Sequence, residues 1–168
     1  VPERHRALVT TLALTGMRAG EALGLRWRSV NLTAEWKPID GGAIRPYTIH
    51  IADNFTHGQW KTRPKAKKVR EYPIPSALWV VLQDHFEHSR WNGPDQAAFS
   101  VRNGKPMTSG NFAKRVLKPA GAKVGLPNVH LHAFRHTAAT IMDQQGMSPA
   151  EKQAVLGHAT AAMTAHYT

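Results

Sequence analysis

Apolar side chains recur at helical spacing from the first residues onward. In Val1–Gly16, Ala7, Leu8, Leu12 and Ala13 share one face and Leu14 widens it. Pro2 sits where its missing N–H costs nothing, and Gly16 is placed to end the helix. A second helix is predicted over about Ala19–Ser29, with Ala22, Leu23, Leu25 and Trp27 inward and Glu21 near its start. Leu32–Ala43 reads as loop, because Pro38 and Asp40-Gly41-Gly42 break any period. The pattern then changes. Tyr47–Ile51 is rich in β-branched and aromatic residues and predicts a strand. Asn54–Lys61, interrupted by Gly58, and Val69–Ile74 are the second and third strand candidates.

Helical spacing returns at about Ser76–Arg90, where Leu78, Val81, Leu82 and Phe86 form the stripe. Trp91–Pro106 is loop around an apolar island, Ala97-Ala98-Phe99. Thr108 or Ser109 caps a helix to about Lys118 with Phe112, Val116 and Leu117 inward, and Gly121–Pro127 is a break. A further helix spans about Leu131–Gln145 and ends at Gly146. Ser148, Pro149 and Glu151 form a capping box that opens another, which Gly157 ends. The Ala-rich stretch Ala161–Thr168 reads as helical. These elements predict a mainly α fold with a small three-stranded antiparallel β-sheet (α+β), in a single domain over residues 1–168.

Composition narrows the function. The 168 residues have a globular make-up, 42 % hydrophobic and 20 % charged, which argues against disorder. No apolar run approaches the ~20 residues a membrane span needs, and no leader pattern is present. With no cysteine, disulfides, zinc–thiolate sites and cysteine nucleophiles are excluded, and a reducing, cytoplasmic setting is expected. Because the chain opens on Val1 rather than Met, it is expected to be a piece of a longer protein. Charge says more: 22 Lys and Arg against 11 Asp and Glu give a net of +11, which points to a polyanion, most often nucleic acid.

Several polar features stand apart from the apolar pattern. Arg18 lies at the junction of the first two helices, where an arginine is either solvated, paired with a nearby Glu, or aimed at a phosphate. Lys61-Thr62-Arg63-Pro64-Lys65-Ala66-Lys67-Lys68 is a basic hairpin tip, either a solvated turn or a phosphate-contacting finger. His132 and Arg135 share a helix, and Leu156-Gly157-His158 precedes Tyr167 by nine residues from the histidine. Gly157 by itself reads as a helix cap and Tyr167 as a terminal aromatic. Together the set supplies what attack by a tyrosine on a phosphodiester needs. A Tyr hydroxyl titrates near ~10 and requires cationic neighbours or a base. Arginine forks neutralise the non-bridging oxygens, an imidazole accepts the tyrosine proton, and a lysine supplies a proton to the leaving alkoxide. His132 and His136 have an i, i+4 metal-like spacing, but no Glu follows His132 as a metalloprotease motif requires and no third ligand is evident, so His136 reads as structural.

At this point the chain resembles the tyrosine recombinases, the phage-integrase family of DNA strand-exchange enzymes. Thr15-Gly16-Met17-Arg18-Ala19-Gly20-Glu21-Ala22-Leu23-Gly24-Leu25-Arg26-Trp27 is similar to the family's first arginine box. His132-Ala133-Phe134-Arg135-His136-Thr137 is similar to its His-x-x-Arg box, and Leu156-Gly157-His158 with Tyr167 to its last box. Lys61-Thr62 before a basic turn and the Val69–Pro75 strand resembles its β-hairpin lysine.

The resemblance implies a catalytic domain of the DNA breaking–rejoining fold, acting without metal, ATP or other cofactor. Tyr167 would attack the scissile phosphate and form a 3′-phosphotyrosyl link, and Arg18 and Arg135 would clamp the phosphate. His132 would take the tyrosine proton, Lys61 would protonate the 5′-oxygen, and His158 would bond a non-bridging oxygen. Glu21 would orient the site, or serve only the fold. Arg63, Lys65, Lys67 and Lys68 would contact DNA. Lys61 is preferred to its neighbours as the acid because it stands at the hairpin entrance before Thr62. The implied partners are double-stranded DNA and, in a full-length protein, copies of the chain in a tetramer. The setting would be a bacterial or phage-encoded, nucleoid-associated protein.

Relatives also carry an amino-terminal DNA-binding domain and a tail beyond the tyrosine. Neither is in these 168 residues, so weak, salt-sensitive binding and poor strand exchange are expected of the chain alone. For the same reason Tyr167 is expected to be mobile, or displaced from the phosphate pocket, without DNA. Two alternatives remain at this stage: a DNA-binding module with a vestigial site, and type IB topoisomerase-like relaxation.

Overall fold

The computed structural model describes residues 1–62 and 70–156. After a short 3-10 turn at Glu3–His5, α1 (Arg6–Thr15) buries Ala7, Leu8 and Leu12. Thr11 and Thr15 are buried on the same helix because their hydroxyls donate to the carbonyls one turn back, Ala7 at 2.8 Å and Thr11 at 2.6 Å. Gly16 stops α1 in the left-handed region at φ 61°, its N–H donating to the Leu12 carbonyl. A side chain there would be strained, and its Cβ would stand 2.7 Å from Leu156 Cδ2.

Helix α2 is Ala19–Leu23, shorter than the predicted Ala19–Ser29. Gly24 lies against the backbone of the segment 53–56, where a Cβ would come within 2.6 Å of the Phe55 nitrogen. Beyond it the chain is extended: Ala98 N–H donates to the Leu25 carbonyl at 2.8 Å and Arg26 pairs with Ala97. Leu25 and Trp27 fit a helical or an extended period equally, and pairing with a distant segment decided between them.

Three small antiparallel units follow. The main sheet orders β1 (Val30–Asn31), β4 (Thr48–Ile51) and β7 (Arg70–Pro73) as β1-β4-β7, with Ile49 opposite Tyr72 and Ile51 opposite Arg70. The supposed loop Leu32–Ala43 in fact contains a hairpin, β2 (Lys37–Ile39) and β3 (Gly42–Ile44), turning at Asp40-Gly41 with Gly41 at φ 81°. Asp-Gly is a strong hairpin signal, here masked by Pro38 and Gly42. It is tied down by Lys37, whose Nζ donates to the carbonyls of Trp27 and Val30, both at 2.7 Å.

Asn54–Lys61 is likewise not one strand. It folds into a ribbon of β5 (Asp53–Thr56) and β6 (Gln59–Thr62), with His57 and Gly58 at φ 51° and 78° in the turn. The fold class stands, but the three-stranded sheet takes Val30–Asn31 in place of this stretch.

Helix α3 (Ser76–His88) buries Leu78 and Leu82 completely. Thr108 caps α4 (Ser109–Phe112), its hydroxyl accepting from Asn111 N–H. A π-helical turn over Ala113–Leu117 leads into α5 (Lys118–Lys123), so this helical run passes the expected end at Lys118. Pro119 has no N–H to give the preceding turn, which fits the wider turn just before it. Helix α6 (Leu131–Gln144) is capped by His130, whose ring accepts from Ala133 N–H. Helix α7 (Pro149–Leu156) carries the expected capping box, with Ser148 N–H donating to Glu151 at 2.8 Å and Glu151 N–H returning to Ser148 Oγ. The core joins α1, α2, the main sheet, α3, α6 and α7 through Leu12, Leu23, Ile49, Leu78, Ala139 and Leu156. Among the described residues no helix is long and apolar enough to cross a membrane.

Candidate active site

The α1–α2 junction is the centre of a polar cluster. Arg18 begins α2, and its N–H donates to Glu21 Oε2 at 3.1 Å while its Nη1 reaches Oε1 at 3.4 Å. The Arg18 side chain is 41 % exposed; that of Glu21 is 2 % exposed. From the sheet, Arg70 Nη2 stands 2.5 Å from Glu21 Oε2. Burial pushes the Glu21 carboxyl up, but the charges of Arg70 and Arg18 and the Arg18 N–H outweigh it and hold the pKa below the ordinary carboxyl value. Glu21 is therefore a buried carboxylate between two guanidiniums.

A third arginine closes the cluster from α6. Arg135, 3 % exposed, donates from Nη1 to the Gly16 carbonyl at 2.7 Å and from Nη2 to the Leu156 carbonyl. Arg70 donates from Nη1 to the neighbouring Val155 carbonyl at 3.3 Å. Two guanidiniums from different elements thus hold the last turn of α7 against the α1–α2 junction. Charge-assisted bonds to carbonyls are stronger than neutral ones, and they also satisfy a helix end that would otherwise be buried with orphan acceptors.

His132 lies one turn before Arg135 on α6 and is exposed, as is His136, which directly follows Arg135. Lys61 is exposed on β6, directly opposite Asn54. Opposed residues share a ribbon face, and the Asn54 amide lies against Gly20, its Oδ1 2.1 Å from where a Cβ of Gly20 would stand. The Lys61 face is therefore the one turned to the start of α2, two residues beyond Arg18. The structure accordingly pairs Arg18 with Glu21 and sets Arg135 on the carbonyl of Gly16 two residues before Arg18, with His132 one helical turn from Arg135 and Lys61 on the adjoining ribbon. Arg63, Lys65, Lys67, Lys68, His158 and Tyr167 lie outside the described residues.

Arg70 was missed in the sequence, where it follows a run of lysines and looks like one more surface cation. A signal was present: strand residues two apart share a face, so the inward Tyr72 implies an inward Arg70. Asp53, buried behind the Lys61 ribbon, gave no such signal.

Solved structures share this fold. The chain superposes on the Tn1549 transposon integrase, solved in complex with circular intermediate DNA, with a TM-score of 0.78 at 23 % identity, covering 99 % of this chain and 56 % of that one. By sequence it is 30 % identical to tyrosine recombinase XerC of Herpetosiphon aurantiacus, across 98 % of this chain and 47 % of the relative. It is 27 % identical to a putative prophage phiRv2 integrase of Mycobacterium tuberculosis, across 99 % of this chain and 43 % of the relative. The chain spans about half the length of such relatives. The phage integrase family profile matches residues 1–168, and the chain belongs to that family.

Proposed function

We propose that the chain is the catalytic domain of a site-specific DNA recombinase that cleaves and rejoins DNA through a covalent tyrosine link. The observation that carries this reading is the Arg135 fork on the carbonyls of Gly16 and Leu156. It fastens together the segments that bear Arg18, His132 and the approach to His158 and Tyr167. Family membership over the whole chain supports the same reading, as does DNA in the solved integrase complex.

In this mechanism the Tyr167 oxygen attacks the scissile phosphorus and its proton passes to His132. The bond from phosphorus to the 5′-oxygen breaks, its electron pair stays on that oxygen, and Lys61 supplies the proton. Arg18, Arg135 and His158 carry the charge that builds on the non-bridging oxygens. Glu21 holds Arg18 and Arg70 in register. Each cleavage is matched by a bond of similar energy to tyrosine, so reversal by a 5′-hydroxyl needs no energy source. Arg63, Lys65, Lys67 and Lys68 hold the backbone beside the break. Double-stranded DNA is the substrate, and four copies of the full protein would act together on two duplexes.

The test is a suicide DNA duplex whose cleaved end diffuses away. A covalent protein–DNA adduct on a denaturing gel is expected, lost in Tyr167→Phe and reduced about 100-fold or more in Arg18→Ala. Binding without any adduct would favour a vestigial module, and relaxation of supercoiled plasmid without sequence preference would favour a topoisomerase.

A further inference from the structure

We propose that Asp53, with Thr62 and Arg26, sets the register of the β5–β6 ribbon and so positions Lys61; this rests on Lys61 being the proton donor of the proposed cleavage. The ribbon is short, and a two-stranded ribbon of this length is marginal unless something packs against it. Its two faces differ. Asn54 and Lys61 share the face turned to the start of α2. Asp53, Phe55, Trp60 and Thr62 share the other, which is where the fixing contacts lie.

On that face Thr62 Oγ1 donates to Asp53 Oδ1 at 2.8 Å, between directly opposed residues. The Asp53 side chain is 3 % exposed, and its second oxygen is 3.5 Å from Arg26 Nε and 3.6 Å from Arg28 Nη2. The Arg26 guanidinium lies over the Trp60 ring at 4.5 Å, and Trp60 Nε1 donates to the Gly24 carbonyl at 3.0 Å. Phe55 meets Trp60 edge-on, with centroids 5.1 Å apart.

A buried carboxylate facing arginines gains little net stability, since desolvation offsets much of the attraction. What such a set supplies is a geometry that only one pairing satisfies. A slip of the ribbon by one residue would carry Lys61 to the opposite face, away from the start of α2. The same slip would separate Thr62 from Asp53 and Trp60 from Arg26. The set thus discriminates between the pairing that presents Lys61 toward Arg18 and the one that hides it. Asp53 and Thr62 do not touch the reacting atoms; they act through Lys61 as positioning residues.

The experiment compares Asp53→Asn, Thr62→Val and Lys61→Ala on two suicide duplexes, one normal and one with sulfur replacing the 5′-bridging oxygen. A thiolate leaves without being protonated, so a defect confined to proton delivery disappears on the sulfur substrate. Lys61→Ala is expected to slow normal cleavage about 100-fold or more, with the sulfur substrate cleaved at nearly the parent rate. Thr62→Val and Asp53→Asn are expected to slow normal cleavage by about 10-fold to 100-fold with the same recovery.

Equal loss on both substrates in Thr62→Val and Asp53→Asn, with Lys61→Ala recovering, would overturn the positioning role. No recovery in Lys61→Ala would instead overturn the assignment of the proton donor beneath it. Amide hydrogen exchange provides a readout independent of cleavage. Faster exchange confined to residues 53–62 is expected in Thr62→Val, which removes one hydroxyl and keeps the shape. Unchanged exchange there would overturn the proposal even if cleavage were slowed.

Discussion

Arg135 and Lys61 sit in regions built by opposite means. Around Arg135 the chain is closed. A buried fork donates to the carbonyls of Gly16 and Leu156, Arg70 donates to Val155, and a buried Glu21 pairs with both Arg70 and Arg18. Around Lys61 the chain is open: the lysine is exposed, and its ribbon rests on α2 through Gly24 and on a cation–aromatic stack behind it. The first region fixes where helices meet, using donors that cannot lose their charge. The second leaves an amine exposed to solvent and fixes only its direction. In the proposed mechanism the phosphate clamp benefits from the first kind of construction, and the group that must approach and leave a proton acceptor benefits from the second.

The contrast fails if the closed region proves tolerant of change. Arg135→Ala is expected to have the largest effect on stability, about 3–5 kcal/mol, because two buried carbonyls lose charge-assisted partners at once. Urea unfolding followed by circular dichroism measures it, and a loss under 1 kcal/mol would show that water readily replaces the fork.

Glu21→Ala comes next, at about 3 kcal/mol, since it leaves the largely buried Arg70 without its carboxylate. Its pH signature is specific. The folded-state pKa of Glu21 lies below the ordinary carboxyl value of 4.5, so its contribution is complete above that pH and is lost as pH falls toward the depressed folded value. The drop in urea midpoint between pH 7 and pH 3.5 is expected to shrink in Glu21→Gln; an unchanged drop would remove Glu21 from the account.

Gly24→Ala probes the open region. A Cβ there meets backbone atoms of Asn54 and Phe55 rather than a yielding side chain, and overpacking of this kind costs about 1–3 kcal/mol. The ribbon must shift, so cleavage of a normal suicide duplex is expected to fall by more than the stability loss accounts for. Equal stability and cleavage to the parent chain would show that the ribbon is not seated on α2. The smallest effect belongs to neither region. Arg6→Ala breaks an exposed pair with Glu3 at 3.2 Å and is expected to change stability by less than about 0.5 kcal/mol.

How much of this was legible depended on how local its cause was. Gly16, the Thr108 cap and the Ser148–Glu151 box each mark a helix end with a signal contained in a few neighbouring residues, and the structure has helix ends at all three. Arg18, Glu21, Lys61, His132 and Arg135 could be picked out because the order of the boxes is itself a sequence property. The early stop of α2 was not legible, because it follows from backbone arriving from elsewhere in the chain; the turns at His57-Gly58 and Asp40-Gly41 are local, but their glycines read equally well as breaks in a strand or loop.

The sequence by itself determined the family, the α-rich framework and the order of the polar boxes along the chain. Periodicity, caps and residue order are encoded within short windows and survive without knowledge of the partner. Only the tertiary structure decided that Arg135 is buried on two carbonyls, that Arg70 faces Glu21, and that the face of the ribbon bearing Lys61 is turned to α2. Those outcomes depend on which groups meet after burial, when each charge and each carbonyl removed from water must find a partner.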